Sequence, residues 1–132
     1  MSNLYRSEKL EQELRDLTER VASIFEAVVV SNDGFVVAAH EPEDLTGRTA
    51  NSPQIAAMTA ALAGLGEHTL HQLSQGKLNR LLIEGESGAL IVHPINRGAS
   101  IAALVDNEAK MGLVMFQIRR SSRKLHDILT NG

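Results

Sequence analysis

The residues of this chain that could bind a metal are few, and the closest pair is His68 and His71 in the segment GEHTLHQ. They lie one helical turn apart, so both imidazoles can face the same ligand. Two imidazoles make at most half of a zinc site, and the neighbouring Glu67 points about 100° away from His68 on a helix. We therefore expect exposed polar residues near a helix end, and no metal site.

Other catalytic signatures are missing from the sequence. There is no cysteine, which excludes disulfides, thiol catalysis and cysteine-ligated metals. Neither a GxxxxGKS or GxxxxGKT phosphate-binding loop nor a GxSxG nucleophile motif occurs. Glu84 and Glu86 bracket a predicted turn, but no pocket is evident in which they could act as general acid and base. The sequence predicts a protein that is not an enzyme and holds no cofactor.

The only basic cluster is RRSSRK, which contains Arg119, Arg120 and Arg123. Cations late in a helix interact favourably with the helix dipole, so a solvated helix face is the simpler interpretation. The alternative is a docking patch for an acidic surface of a partner. The sequence leaves both interpretations open.

Length and charge bound the class of protein. The 132 residues suit one domain, residues 1–132, that can bury a core. The net charge of −3 provides no basic field for nucleic acid. Dense charges over residues 8–20 argue against a signal peptide, and the longest charge-free segment, residues 49–66, is too short and polar to span a bilayer. We expect a soluble cytoplasmic domain that binds no nucleic acid and inserts into no membrane.

Hydrophobic periodicity predicts helices near the N-terminus and in the middle of the chain. Five apolar residues recur at helical spacing, and they are Leu10, Leu14, Leu17, Val21 and Ile24. They predict a charged amphipathic helix over about residues 7–24, with Ser7 as its N-cap candidate. Ser52 and Pro53 are expected to open a second helix that runs to about residue 74, and Gly76 is its stop signal.

The rest of the chain predicts five strands and a third helix. The strands are expected over residues 27–30, 35–39, 78–84, 89–93 and 100–105. Asp106 or Asn107 is the expected N-cap of the last helix. Its apolar stripe contains Met111, Met115, Ile118, Ser122, Leu125 and Leu129. The predicted order is α-β-β-α-β-β-β-α, with a folded core over about residues 10–129.

The predicted strands are nearly continuous apolar runs, as in AVVVSNDGFVVAA, where only the turn at Asn32, Asp33 and Gly34 is polar. A sheet with one face in water would alternate apolar and polar residues. The absence of alternation indicates that helices cover both faces. We therefore predict an α+β fold, a three-layer α/β/α sandwich around a five-stranded antiparallel sheet.

The second helix is apolar all round for about four turns. A helical wheel groups its larger residues on one side, predicted to lie on the sheet: Ile55, Met58, Leu62, Leu65 and Leu73. The opposite side carries small residues, among them Ala57, Ala60, Ala61 and Gly64. One interpretation is that alanine favours helices and tolerates water. The other is a self-association face, where the same helix of a second copy packs across a two-fold axis.

The third strand supports self-association. If the last three strands form a meander, residues 78–84 lie at an edge of the sheet. An apolar edge strand is a liability unless it is paired or covered. Leu78, Arg80 and Leu82 are therefore predicted to contact a second copy.

Taken together, the hairpin AVVVSNDGFVVAA, the helix segment IAAMTAALAGL and the stretch from LLIEGESGALIVHPINRG to the last helix resemble the Roadblock family, the dynein light chain roadblock-type domain. The resemblance covers about residues 10–129 and rests on the order of elements rather than on a catalytic motif. It implies a homodimer, or a heterodimer with a related domain, in which a ten-stranded sheet carries two neighbouring second helices.

The resemblance also implies a partner. Members of the family commonly bind and regulate Ras-like small GTPases, as activating proteins or as localisation scaffolds. Partner-docking candidates are then Arg48, a loop arginine that could act in trans as an arginine finger, the pair His68 and His71, and the basic cluster of the last helix. The alternative is a small-molecule sensor of the PAS or GAF type, although such a pocket is usually aromatic-lined and only 3% of the residues are aromatic.

Overall fold

Three helices and five strands make up the described part of the chain, which in this computed structural model is residues 3–41 and 51–131. The elements are α1 (Asn3–Arg20), β1 (Ile24–Ser31), β2 (Val36–His40), α2 (Ser52–Gln72), β3 (Leu81–Gly85), β4 (Gly88–Pro94), β5 (Ala99–Asp106) and α3 (Met111–Asn131). This order confirms the prediction of an α+β fold.

The opening strand β1 is buried on both faces, which explains its unbroken apolar sequence. Ala27 and Val29 belong to a core shared with α1 and α3, whereas Val28 and Val30 belong to a second core with Ile55 of α2. Successive side chains of a strand point to opposite faces, so the two cores lie on opposite sides of the sheet. The chain is a three-layer α/β/α sandwich, with α1 and α3 on one face and α2 on the other. Burying each of these valines stabilises the fold by roughly 1.5–3 kcal/mol.

The five strands form one antiparallel sheet in the order β2-β1-β5-β4-β3. β5 inserts between β1 and β4 and is nearly as buried as β1. β2 and β3 are the two edge strands. The prediction that the third strand lies at an edge is confirmed.

α1 begins and ends earlier than the apolar spacing predicts. Ser7 lies inside the helix and is not its N-cap. The backbone N–H of Val21 still donates to the Leu17 carbonyl at 3.0 Å, but Ile24 is already the first residue of β1. Val21 and Ile24 keep helical spacing because both enter the same core as α1 across the turn.

The N-cap residue of α2 is Asn51. The sequence prediction of Ser52 as N-cap is wrong by one residue. The Asn51 side chain accepts a hydrogen bond from the backbone N–H of Gln54 at 3.0 Å, as an N-cap residue does. The buried Ser52 hydroxyl instead donates to Glu26 Oε2 at 3.4 Å. The N-cap therefore lies one residue earlier than predicted, and Ser52 links α2 to β1 through its hydrogen bond to Glu26.

The helix ends also differ in detail from the sequence prediction. After α2 the chain turns at Ser74, which has a φ of 56°, before it reaches Gly76. Neither Asp106 nor Asn107 caps α3, which starts only after a further turn. The Asp106 side chain accepts from the backbone N–H of Glu108 at 3.0 Å and stabilises that turn.

α2 packs on the sheet through a different side from the one the wheel predicts. Its buried residues are Ser52, Ile55, Ala56 and Thr59. Met58, Leu65 and Leu73, predicted to lie on the sheet, are 45%, 63% and 62% exposed. The prediction is right for Ile55 and wrong for these three residues. Small side chains at the contact bring the helix closer to the sheet, which leaves the large apolar side chains outside.

Candidate functional site

Apolar side chains face outward along α2 at Met58, Ala61 and Leu65, called here the α2 stripe. Their spacing of three and four residues places them on one side of the helix. Nearly half of Met58 and more than half of Leu65 are exposed. A monomeric domain rarely leaves such a continuous apolar surface in water, and exposed patches of this kind mark interaction sites.

The opposite flank of α2 lies against the β1–β2 turn. A Cβ added to Gly34 would lie 3.6 Å from both the Ala57 Cα and the Ala60 Cβ, so the turn and the helix are in close contact. Ala60 is half-buried there and does not lie on the free face, contrary to the prediction. Ala57, Ala61 and Gly64 are exposed and remain predicted dimer contacts.

The position of that contact orients the α2 stripe. Met58 and Leu65 lie about 120° round the helix from Ala57 and Ala60. Gly34 lies in the turn between β1 and β2, so the helix flank that contacts it is the one on the β2 side of the sheet. The α2 stripe lies on the other flank, on the side of the helix directed toward β4 and β3. It therefore shares the open half of this face with the side chains of the β3 edge.

The β3 edge exposes apolar side chains on both faces of the sheet. Leu82 and Ile83 are 40% and 43% exposed. Leu82 pairs with Ile91, which lies in the core beneath α1 and α3, and Ile83 pairs with Leu90 on the α2 side. The edge is therefore apolar where it could meet another strand. Leu82 remains a predicted dimer contact.

Leu78 does not belong to this edge, so its prediction as a strand residue is wrong. It lies before β3 and is 8% exposed. Its backbone N–H donates to Glu67 Oε1 at 3.0 Å, and its side chain packs at Gly66, where an added Cβ would lie 3.5 Å away. Leu78 instead fastens the segment before β3 to α2. Arg80 follows it, is exposed and remains a predicted contact.

The basic residues of α3 line a groove on the other face of the sheet. Arg119 and Arg123 border a cavity of about 500 Å³ beside His93. A neighbouring cavity of about 350 Å³ adds Arg80 to the same groove. Arg120 is exposed and lines neither cavity. The structure thus brings three arginines from two separate segments to one place.

His93 is the groove residue that sequence reasoning missed. Burial lowers the pKa of its imidazole below the ordinary value of 6.5, a hydrogen bond between Nδ1 and the Pro94 carbonyl at 2.9 Å acts the other way, and Arg80 and Arg119 lower it further. The imidazole is therefore uncharged at neutral pH, and the arginines carry the positive charge. No local sequence signal places His93 beside residues so far away in the chain.

The remaining candidates lie apart from this groove. His68 and His71 are exposed near the end of α2, on the opposite side of the sheet from α3. Arg48 lies outside the described residues. Within residues 3–41 and 51–131, no group of three or more metal-ligating side chains could hold a metal ion. In the same ranges no helix is long and apolar enough to cross a membrane.

A cavity of about 230 Å³ lies between α2 and the ends of β1 and β5. It is lined by small and polar residues, including Thr59, Ala63, Ser100 and Asn32. Thr59 is buried, and its hydroxyl has no hydrogen-bond partner among the described residues. This lining differs from the aromatic-lined pocket expected of a small-molecule sensor.

The chain is thus an α/β/α sandwich with an open apolar edge strand and an outward-facing apolar stripe on one helix, a construction typical of domains that bind other proteins. Its sequence matches the model of the Roadblock/LC7 domain over residues 10–105, and the chain belongs to this family. The resemblance found in the sequence is confirmed.

Individual relatives agree with this assignment. An uncharacterized protein of Methanocaldococcus jannaschii is 27% identical over 99 residues, which are 75% of this chain and 82% of that protein. A Roadblock/LC7 domain from Streptomyces avermitilis is 32% identical, with a TM-score of 0.61 over 88% of this chain and 97% of that one. The gliding protein MglB from Thermus thermophilus is 20% identical, with a TM-score of 0.86 over 96% and 93% of the two chains. This last likeness concerns the fold alone.

Proposed function

We propose that this chain is a non-catalytic cytoplasmic adaptor that forms a homodimer, or a heterodimer with a related Roadblock-like domain, and regulates a Ras-like small GTPase. The observation that carries the proposal is the α2 stripe beside the exposed β3 edge. Both surfaces are apolar, both lie on the open half of the sheet, and neither is covered within the described residues. Membership of the Roadblock/LC7 family supports the choice of partner.

The two surfaces fit one symmetric assembly. An edge strand presents unpaired N–H and C=O groups, and a second β3 strand can satisfy them. Antiparallel pairing of two β3 strands about a two-fold axis gives a ten-stranded sheet with both α2 helices on one face. The α2 stripes then turn toward each other across the axis. One contact covers both exposed apolar surfaces, which favours a dimer over an isolated domain.

The role toward a GTPase follows from what family members do. Members commonly bind and regulate Ras-like small GTPases, and solved structures similar to this chain include MglB in a tetrameric arrangement. The exposed side chains of the α2 stripe and of Leu82 and Ile83 on β3 are apolar, so these surfaces offer contact area and no catalytic group. We therefore infer that the dimer acts by positioning the catalytic loops of the GTPase, or by localising it.

Self-association is tested by placing a charge in the α2 stripe. We expect a solution mass of twice 14.3 kDa for the wild type and close to 14.3 kDa for Ala61→Glu. The exposed Ala61 tolerates glutamate in the monomer, but the dimer would bury two unpaired carboxylates near its axis, and each burial is strongly unfavourable. Light scattering at micromolar concentration, with circular dichroism as a check of folding, measures both forms.

The matched control is Ala22→Glu, which makes the same change at an exposed alanine between α1 and β1. It should keep the wild-type mass. A folded Ala61→Glu variant that stays dimeric would show that the α2 stripe lies outside the interface. A monomeric wild type would favour a heterodimer with a related domain.

Binding of the partner is tested by capture on the immobilised chain. Small GTPases from the same organism, loaded with GDP or with a non-hydrolysable GTP analogue, are expected to bind in a nucleotide-dependent way. The Ala61→Glu variant should capture less, because it is expected to be monomeric and we propose that the dimer is the form that binds the GTPase. Single-turnover GTP hydrolysis then separates activation from localisation, and Arg48→Ala tests an arginine finger. If no GTPase is captured in either nucleotide state, the proposal is refuted.

A further inference from the structure

Opposite charges lie two positions either side of Leu82: Glu84 belongs to β3, and Arg80 immediately precedes its first residue. Leu82 faces the α1 and α3 side of the sheet, and the alternation of a strand places Arg80 and Glu84 on that side too. Arg80 lines a cavity with Arg119 of α3, which agrees with this placement. Neither Arg80 nor Glu84 takes part in an ion pair within the described residues.

A two-fold axis restricts how two β3 strands can pair. In an antiparallel pair, directly opposite residues share a face of the sheet, so the axis must pass through a residue position. An axis at Leu82 sets Leu82 against Leu82 of the partner subunit, and Arg80 against Glu84 of the partner subunit. By symmetry the ion pair occurs twice. On the other face the same register sets Leu81 against the partner's Ile83.

The neighbouring registers pair unlike groups. An axis at Ile83 sets Leu82 against Glu84 of the partner subunit and Arg80 against Glu86 of the partner subunit. An axis at Leu81 sets Arg80 against Leu82 of the partner subunit. Apolar and opposite-charge cross-strand pairs stabilise a sheet, whereas an apolar residue opposite a charge does not. Only the register centred on Leu82 pairs every apolar residue with an apolar one and both charges with their opposites.

We propose that a second copy of this chain docks on β3 in the register centred on Leu82, held in place by two symmetric Arg80–Glu84 ion pairs. The inference rests on the proposed homodimer and adds to it the residues that set register and partner choice. The groove offers a further reason, since Arg80 lines a cavity with Arg119 and His93 and has no ion-pair partner among the described residues. The charges of Arg80 and Glu84 contribute mainly to specificity, because a partner or register that sets like charges opposite each other is disfavoured.

The test exchanges the charges one at a time. Arg80→Glu alone sets glutamate against Glu84 of the partner subunit at two places, and Glu84→Arg alone sets arginine against Arg80 of the partner subunit at two places. We expect each variant to self-associate at least about ten-fold more weakly than the wild type. An equal mixture of the two should form a heterodimer with close to wild-type affinity, because both positions again hold an arginine opposite a glutamate, one pair with the native polarity and one reversed. Sedimentation equilibrium measures the masses and the affinities.

The matched control is Glu86→Arg mixed with Arg80→Glu, which would be rescued only in the register centred on Ile83. Rescue by Glu86→Arg, or no rescue by Glu84→Arg, would overturn the proposed register while the wild-type dimer stands. A monomeric wild type would overturn the homodimer itself, so the two failures are distinguishable. All three residues are exposed, and circular dichroism of each variant confirms that it folds.

Discussion

Replacing Gly88 by alanine is expected to lower the free energy of unfolding by about 3 kcal/mol. Gly88 opens β4 and pairs with Asp106 of β5. A Cβ added there would overlap the backbone carbonyl oxygen of Val105. The Gly88 Cα, which would carry the added Cβ, and the Val105 carbonyl both belong to the backbone of paired strands, so neither can move aside by a side-chain rotation. The methyl group fits only if β4 separates from β5 at this end of the sheet.

The effect of Gly88→Ala should reach the candidate interface. Gly88 also pairs with Gly85 at the end of β3, so a displaced β4 carries the edge strand with it. We expect weaker self-association in addition to a lower midpoint of urea unfolding. Gly112→Ala is the control, because open space surrounds Gly112 in the first turn of α3. That change should be neutral or stabilise by up to about 1 kcal/mol. A Gly88→Ala protein as stable as the wild type would contradict the steric account.

Removing the carboxylate of Glu13 is expected to destabilise the fold by about 3 kcal/mol. Glu13 is 6% exposed, on the side of α1 that faces α3. Its Oε2 accepts from the Ser121 hydroxyl at 2.7 Å and from Arg20 Nη2 at 3.2 Å. Arg20 also donates to Ser121 Oγ at 2.9 Å and to Gln117 Oε1 at 3.1 Å. Glu13→Ala removes the acceptor of the buried Ser121 hydroxyl and one of the three acceptors of the partly buried Arg20 guanidinium.

A double-mutant cycle checks that the loss comes from this network. Urea unfolding of Glu13→Ala, Arg20→Met and the double variant should show that the double variant loses less stability than the two single losses added together. Glu11→Ala, on the exposed side of α1, should change stability by less than about 0.5 kcal/mol. The network lies on the face opposite α2, so the variants should still dimerise wherever they are folded. Equal losses for Glu13→Ala and Glu11→Ala would refute the argument.

Much of the fold could be predicted from local pattern. The run AVVV in β1 lacks polar alternation, and the structure shows why: Val28 and Val29 enter cores on opposite faces of the sheet. Burial on both faces is a property that each strand carries in its own residues. Element boundaries were less predictable, since Ile24 keeps helical spacing yet begins a strand.

The orientation of α2 could not be predicted, because alanine, methionine and leucine are all apolar. Periodicity shows that the helix lacks a polar face, but it does not rank one apolar side above another. The close contact of Gly34 with Ala60 and the burial of Ala56 decide which side meets the sheet. Leu65 is exposed as a result. The candidate interface was foreseen as a helix face and an edge strand, but several of its residues were not.

The sequence by itself determined the order of the elements, the antiparallel sheet covered on both faces and the edge position of β3, because these depend on contacts between neighbours in the chain and on apolar run lengths. Tertiary structure alone decided that Leu78 is fastened to α2 and that His93 lies between Arg80 and Arg119. Such groupings depend on how β4, α3 and the segment before β3 approach one another in space. That approach is set by packing between distant segments, which no local spacing of residues encodes.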